Sequence, residues 1–234
     1  MRIRFYNARV LTMDGDMGVD WGEVWVEGNR IVYVGDGNEL KSDENGGNSD
    51  GTWVWDREID VEGNLIMPGF ANAHTHSAMT FLRSYADDLP LQEWLQTQVF
   101  PMEAKLTGED IYDLSKLAIL EYLTSGITSN FDMYFQPEMI ARASVDCGFR
   151  TILVSSLNNF TSSLEDMERE YQEYNNYHEL IRYHLGFHAE YTTSETLLKG
   201  VAALAEKYQA PVFTHNSETK REVEECISRH GMTP

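Results

Sequence analysis

The run Pro68-Gly69-Phe70-Ala71-Asn72-Ala73-His74-Thr75-His76-Ser77 joins a turn-forming Pro-Gly pair to a short apolar strand that ends on two histidines. Side chains at i and i+2 of a strand leave the same face, with Cα atoms roughly 6–7 Å apart. Two imidazoles so placed both reach one metal ion at about 2.0–2.1 Å. A lone His-x-His in a loop is more often two unrelated histidines than a metal site. The apolar strand before this one, and the Pro-Gly turn that starts it, favour the metal reading.

Downstream of Pro68, short apolar strands alternate with helices. Strands are expected over 70–74, 127–132, 151–155, 184–188 and 211–215. Thr107-x-x-Asp110 is a near capping box, opening a helix with Ile111, Leu114, Leu117 and Ala118 on one face. Ser194 caps a helix through Leu197, Leu198, Val201, Ala202 and Leu204. Gly126, Gly148 and Gly231 stand where helices end. This alternation predicts a parallel sheet covered by helices. Upstream, residues 1–67 read as a separate β segment. Val24-Trp25-Val26 and Ile31-Val32-Tyr33-Val34 flank a Gly-Asn turn, which predicts a hairpin. Ile59–Val61 and Leu65–Met67 surround a second turn at Gly63-Asn64, and the polar stretch 35–51 predicts an exposed loop.

A second histidine signal lies in Pro211-Val212-Phe213-Thr214-His215-Asn216-Ser217-Glu218. The apolar strand ends on His215, a third imidazole at a strand end, and Glu218 follows three residues later. A carboxylate there can act as general acid and base on a water held by a metal site. Alone, Glu218 reads as a first-turn helix carboxylate favoured by the dipole. His188 ends the segment Tyr183–His188 and reads as a ligand, a substrate contact or a structural histidine. His178 and His184 read as solvated, and His230 as a helix C-terminal charge.

Lys and Arg total 18 against 38 Asp and Glu, a formal charge of −20. So acidic a chain is repelled by nucleic acid and by anionic membranes, and neither is expected as a partner. A hydrophobic content of 42% is too high for a disordered chain. No apolar run reaches the roughly 18 residues of a membrane span. The opening MRIRFYNARV has no apolar signal core, and Cys147 and Cys226 are too few for a disulfide scaffold. These features point to a cytoplasmic location.

With these motifs in place, PGFANAHTHSAMTFLRSYADDLPLQEWL (68–95), PMEAKLT (101–107), FHAEYTTS (187–194) and THNSET (214–219) resemble the amidohydrolase superfamily. The likeness is strongest to its methylthioadenosine/S-adenosylhomocysteine deaminase branch. The resemblance implies an α/β fold: a TIM-type (β/α) barrel, here about five of eight strands over 68–234, preceded by a β-sandwich segment over 1–67. It implies that His74, His76 and His215 hold one divalent metal, zinc or alternatively Fe2+ or Mn2+. It assigns proton transfer to Glu218 and substrate contacts to Glu103, His188 and Glu218. His188 stands where binuclear members carry a carboxylated lysine, which favours a single metal. The branch's two carboxylate-recognising arginines fall near Ser155 and Ser163, so a neutral aminated ring or nucleoside is as good a substrate as S-adenosylhomocysteine. A homo-oligomer of the full-length protein is compatible with the family.

The family also needs a histidine after strand six and an aspartate after strand eight, both beyond Pro234. Five strands do not close a barrel. The 234-residue chain acting alone is therefore expected to be inactive. Three functions follow as expectations. The first is hydrolytic deamination of an aminated purine nucleoside or related heterocycle by the complete protein. The second is chloride or amine hydrolysis on a triazine-like ring. The third is an inactive fragment, or a half-barrel needing a partner chain.

Overall fold

The computed structural model describes residues 1–15, 19–37 and 53–234. The loop expected over 35–51 falls outside these from residue 38 onward. The described residues form two compact units, Met1–Gly69 and Phe70–Pro234.

The first unit is one mixed five-stranded sheet of β1 (Arg2–Leu11), β2 (Val19–Glu27), β3 (Arg30–Gly35), β4 (Arg57–Asp60) and β5 (Leu65–Ile66). Antiparallel β2 and β3 are joined through Gly28-Asn29, with Gly28 at φ +62°. That positive φ is what a tight two-residue hairpin demands of its turn. β4 and β5 do not pair with each other across the Gly63-Asn64 turn; both lie parallel to the far edge of β1. Ala8, Val10 and Val24 form a small buried core with Phe5, Val26, Val61 and Ile66 packed on it. Trp25 gathers Tyr33, Trp53 and Trp55 at centroid distances of 4.5–5.2 Å.

The second unit is a parallel half-barrel. Its strands are β6 (Phe70–Thr75), β7 (Ile127–Met133), β8 (Arg150–Val154), β9 (Ile181–Ala189) and β10 (Val212–His215), paired in sequence order. Between them run α1 (Gly108–Thr124), α2 (Pro137–Asp146), α3 (Leu164–Tyr174) and α4 (Glu195–Tyr208), and α5 (Lys220–His230) follows β10. The helices bury their apolar stripes on the sheet. Ile111, Ile140, Leu153, Leu157, Tyr183 and Leu185 belong to the main core.

The helix ends follow their residues. Thr107 and Asp110 form a full capping box, with Thr107 N–H donating to Asp110 Oδ2 at 2.8 Å. Gly126, Gly148 and Gly231 all have left-handed φ after α1, α2 and α5. The face of α1 differs from expectation at Leu117, which is 46% exposed. The buried stripe runs through Ile111, Ser115, Ala118 and Ile119, and Leu117 lies a third of a turn away from it.

The sheet has three register shifts, one at the start of β6 between Phe70 and Ala71 and two beside candidate site residues. Pairing of β6 with β7 steps from Asn72↔Asn130 to Thr75↔Asp132, so β6 carries one extra residue around His74. Pairing of β10 with β9 steps from Phe213↔Gly186 to His215↔Ala189, so β9 carries one extra residue around His188. A bulge bends the strand and re-aims the local side chain. Gly186 lies just before the second bulge, where a Cβ would come within 2.7 Å of Ser155 O and 2.9 Å of Phe213 O.

Candidate metal centre

Three imidazoles converge at the C-terminal ends of β6 and β10. His74 and His76 come from the end of β6 and His215 from the last residue of β10, with potential ligand atoms all within 4.8 Å of one another. The ring centroids are 5.0–5.3 Å apart. His74 Nε2 and His215 Nε2 are separated by 3.2 Å. Two nitrogens held by one tetrahedral ion at about 2.0–2.1 Å stand about 3.3 Å apart. The pair already has that spacing.

The ring orientations are set from behind. His76 Nδ1 lies 2.6 Å from Met133 O, and His215 Nδ1 lies 2.8 Å from His188 O. A carbonyl only accepts, so each Nδ1 carries the proton and each Nε2 keeps its lone pair. This is the outer-shell arrangement of a metal-bound histidine. Burial drives the pKa of His76 down to about 4, with His215 and His74 adding to the effect. A neutral imidazole is the form that binds a cation. The donor set fits a divalent metal.

Glu218 and the pair His74 and His215 line one recess of about 300 Å³, which also takes in Phe131, Met133 and Phe213. Glu218 is exposed and follows Ser217, whose φ is +54°. Its N–H donates to Glu222 Oε2 at 2.7 Å, and its Oε2 accepts from the Tyr191 hydroxyl at 3.4 Å.

His188 lies next to the cluster, its ring 5.2 Å from His215 and its Nδ1 3.1 Å from Thr192 Oγ1. Burial, with His215 and His76 nearby, lowers its pKa to about 4. It is outside the group of three potential ligands. Glu103 follows a different course. It accepts from the Tyr134 hydroxyl at 2.6 Å, and burial raises its pKa. It does not line the recess.

The expectation that His184 is solvated is corrected. His184 is a half-buried residue of β9 whose ring packs against Phe131 and Phe213 at 5.8 and 5.2 Å. The strand begins at Ile181, three residues before the expected start, and this carries His184 into the sheet. Sequence reasoning also passed over Asn130 and Asp132, buried polar residues of β7 beside the His-x-His segment. The signal was present in Ile127–Met133, where two polar side chains sit at i and i+2 of a strand covered by helices.

A family model described as the amidohydrolase family matches residues 65–234. Among curated relatives, the 5-methylthioadenosine/S-adenosylhomocysteine deaminase of Caldicellulosiruptor saccharolyticus is 35% identical over 235 residues, covering 100% of this chain and 53% of its own length. The 5'-deoxyadenosine deaminase of Methanothermobacter thermautotrophicus is 38% identical, covering 93% of this chain and 50% of its own length. An adenosine deaminase from Xanthomonas campestris, solved with bound zinc, superposes with a TM-score of 0.85 at 28% identity, covering 100% of this chain and 53% of that one. The chain thus spans about half the length of the curated relatives it matches. The family match takes in every strand of the parallel sheet and all three clustered histidines, and the chain belongs to the amidohydrolase family.

Proposed function

We propose that this chain carries the first part of the active site of a metal-dependent hydrolase acting on non-peptide C–N bonds. Its substrate is an aminated purine nucleoside or a related heterocycle. The observation that carries this reading is the convergence of His74, His76 and His215 on one point, with Glu218 on the rim of the same recess. The relatives at 35–38% identity support deamination as the reaction.

His74, His76 and His215 would hold one divalent cation, zinc being the ion suited to three imidazoles. Bound there, it would supply Lewis acidity and bring the pKa of water toward neutrality. The chain's own residues do the rest. Met133 O and His188 O keep the rings of His76 and His215 in the ligating tautomer. Glu218 takes a proton from the attacking water on its carboxylate and passes it to a ring nitrogen of the substrate. The water oxygen bonds to the amine-bearing carbon. The C–N bond then breaks, and the amine leaves as ammonia with the second proton. Glu103 and His188 are the further residues assigned to substrate contact.

The test is ammonia release by the zinc-loaded, full-length protein over a panel of aminopurines, aminopurine nucleosides and aminopyrimidines. Release from a nucleoside or purine is expected. Inactivity on the whole panel, or release of chloride from halogenated triazines in its place, overturns the reading.

A further inference from the structure

His76 is flanked in sequence by two buried polar residues, Thr75 at 7% and Ser77 at 3% exposure. Both face a polar layer built by β7 and α1. Asn130 Nδ2 donates to Thr75 Oγ1 at 2.9 Å and to Ser77 Oγ at 3.2 Å. The Ser77 hydroxyl lies 3.0 Å from the Tyr122 hydroxyl. Asp132, 1% exposed, accepts the Ser77 N–H on Oδ1 at 3.0 Å. Its other oxygen has no hydrogen-bond partner among the described residues.

Ser77 opens the 3-10 turn Ser77–Leu82. The start of such a turn leaves N–H groups that need an acceptor, normally a side chain of the preceding residue. Here that residue is His76, which makes no capping bond, because its ring is turned to the Met133 carbonyl. The missing acceptor comes from the neighbouring strand. Two consecutive residues of β7 therefore grip His76 from both sides: Met133 O takes its ring N–H, and Asp132 Oδ1 takes the next peptide N–H.

A buried carboxylate with one unpaired oxygen is a costly way to stabilise a fold. We propose that Asp132 is a positioning residue for the metal centre, fixing the backbone after His76 so that its imidazole meets His74 and His215. The inference rests on the metal reading of the three histidines, and its test separates the two.

The probe is Co2+ alone, titrated into the metal-free protein and followed by its visible d–d bands. Asp132→Ala is expected to weaken Co2+ binding about 10–100-fold, the usual effect of losing an outer-shell partner, and to change the band pattern. Asp132→Asn keeps an oxygen for the Ser77 N–H and is expected to restore both. Ser144→Ala breaks a buried hydroxyl pair with Thr151 (2.8 Å) on α2 and β8, far along the chain from the histidines. It is expected to lower stability and leave the cobalt spectrum unchanged. Unchanged affinity and spectrum in Asp132→Ala, or an equal loss in Ser144→Ala, overturns the proposal. Should Asp132→Ala not fold, the near-isosteric Asp132→Leu replaces it in every arm.

A second arm needs no metal. 15N NMR of the metal-free protein reads the His76 tautomer. The Nδ1–H form is expected in the unsubstituted protein and in Asp132→Asn, and its loss is expected in Asp132→Ala. If the unsubstituted protein fails to bind cobalt, the metal reading falls and this arm alone decides. Retention of the Nδ1–H form in Asp132→Ala then overturns the positioning role.

Discussion

His74 Nε2 and His215 Nε2 stand 3.2 Å apart although 141 positions separate them in the chain. Two lone pairs facing each other at this distance repel unless a proton or a cation lies between them. Replacing either residue by alanine is expected to lower zinc affinity by more than the 10–100-fold that outer-shell changes typically cost. Competition against a chromogenic chelator measures it. Zinc at about 100 times its dissociation constant is expected to stabilise the protein by about 2.7 kcal/mol. A His215→Ala protein that keeps the parent's affinity would show that the cluster is not the binding site.

Glu218 shares the recess with His74 and His215 but is not one of the three clustered candidate ligands. Glu218→Gln in the full-length protein is expected to lower kcat by about 10²–10⁴ while zinc affinity stays close to the parent value. Equal losses in kcat and metal binding would instead make Glu218 a ligand.

Acid is expected to destabilise the metal-free protein. Burial holds His76 and His188 at about 4, below the ordinary 6.5, so their contribution is present above 6.5 and lost as pH falls through 4. Asp132 opposes this. Its pKa is raised by burial from 3.8 to about 6, so its contribution is present below 3.8 and lost as pH rises through 6. Each displacement corresponds to about 3 kcal/mol. Glu103, whose pKa burial also raises, acts in the same sense as Asp132, so the loss from the two histidines between pH 7 and pH 4 is partly offset. Urea midpoints measured across that range check the sign. A midpoint that rises toward pH 4 contradicts it.

Gly186→Ala is expected to cost about 1–3 kcal/mol or more, as overpacking does. The added methyl meets the Ser155 and Phe213 carbonyl oxygens, both backbone, and Val154 Cγ1 at 2.8 Å. Chemical denaturation reads the loss. The bulge that presents His188 is next to this position, so substrate affinity in the full-length protein is expected to fall with it.

The strand-end histidines were legible because their signal is local. An apolar run followed by His-x-His, or by a single His and a carboxylate three residues on, is readable from pleat and period. The capping box at Thr107 and Asp110 was legible for the same reason: its partners are three residues apart. Asp132 was not. In a strand pattern an aspartate reads as solvent-facing, and only parallel pairing with β6 puts it opposite Thr75 and within reach of Ser77 N–H. His184 was misjudged because its neighbours Arg182 and Tyr183 look polar, while the strand that buries it starts further upstream.

The order of strands and helices, the placing of the candidate ligands at strand ends and the acidic surface follow from residue types and their periods, which act over a few positions at a time. The tertiary structure decided which of those residues meet. Bulges in β6 and β9, the register of five parallel strands and the burial of one strand by its neighbours bring His74, His76 and His215 together. They leave His188 beside that group and seat Glu103 against Tyr134. Convergence of this kind depends on hydrogen-bond register between segments far apart in the chain, and no local pattern encodes a distance across a sheet.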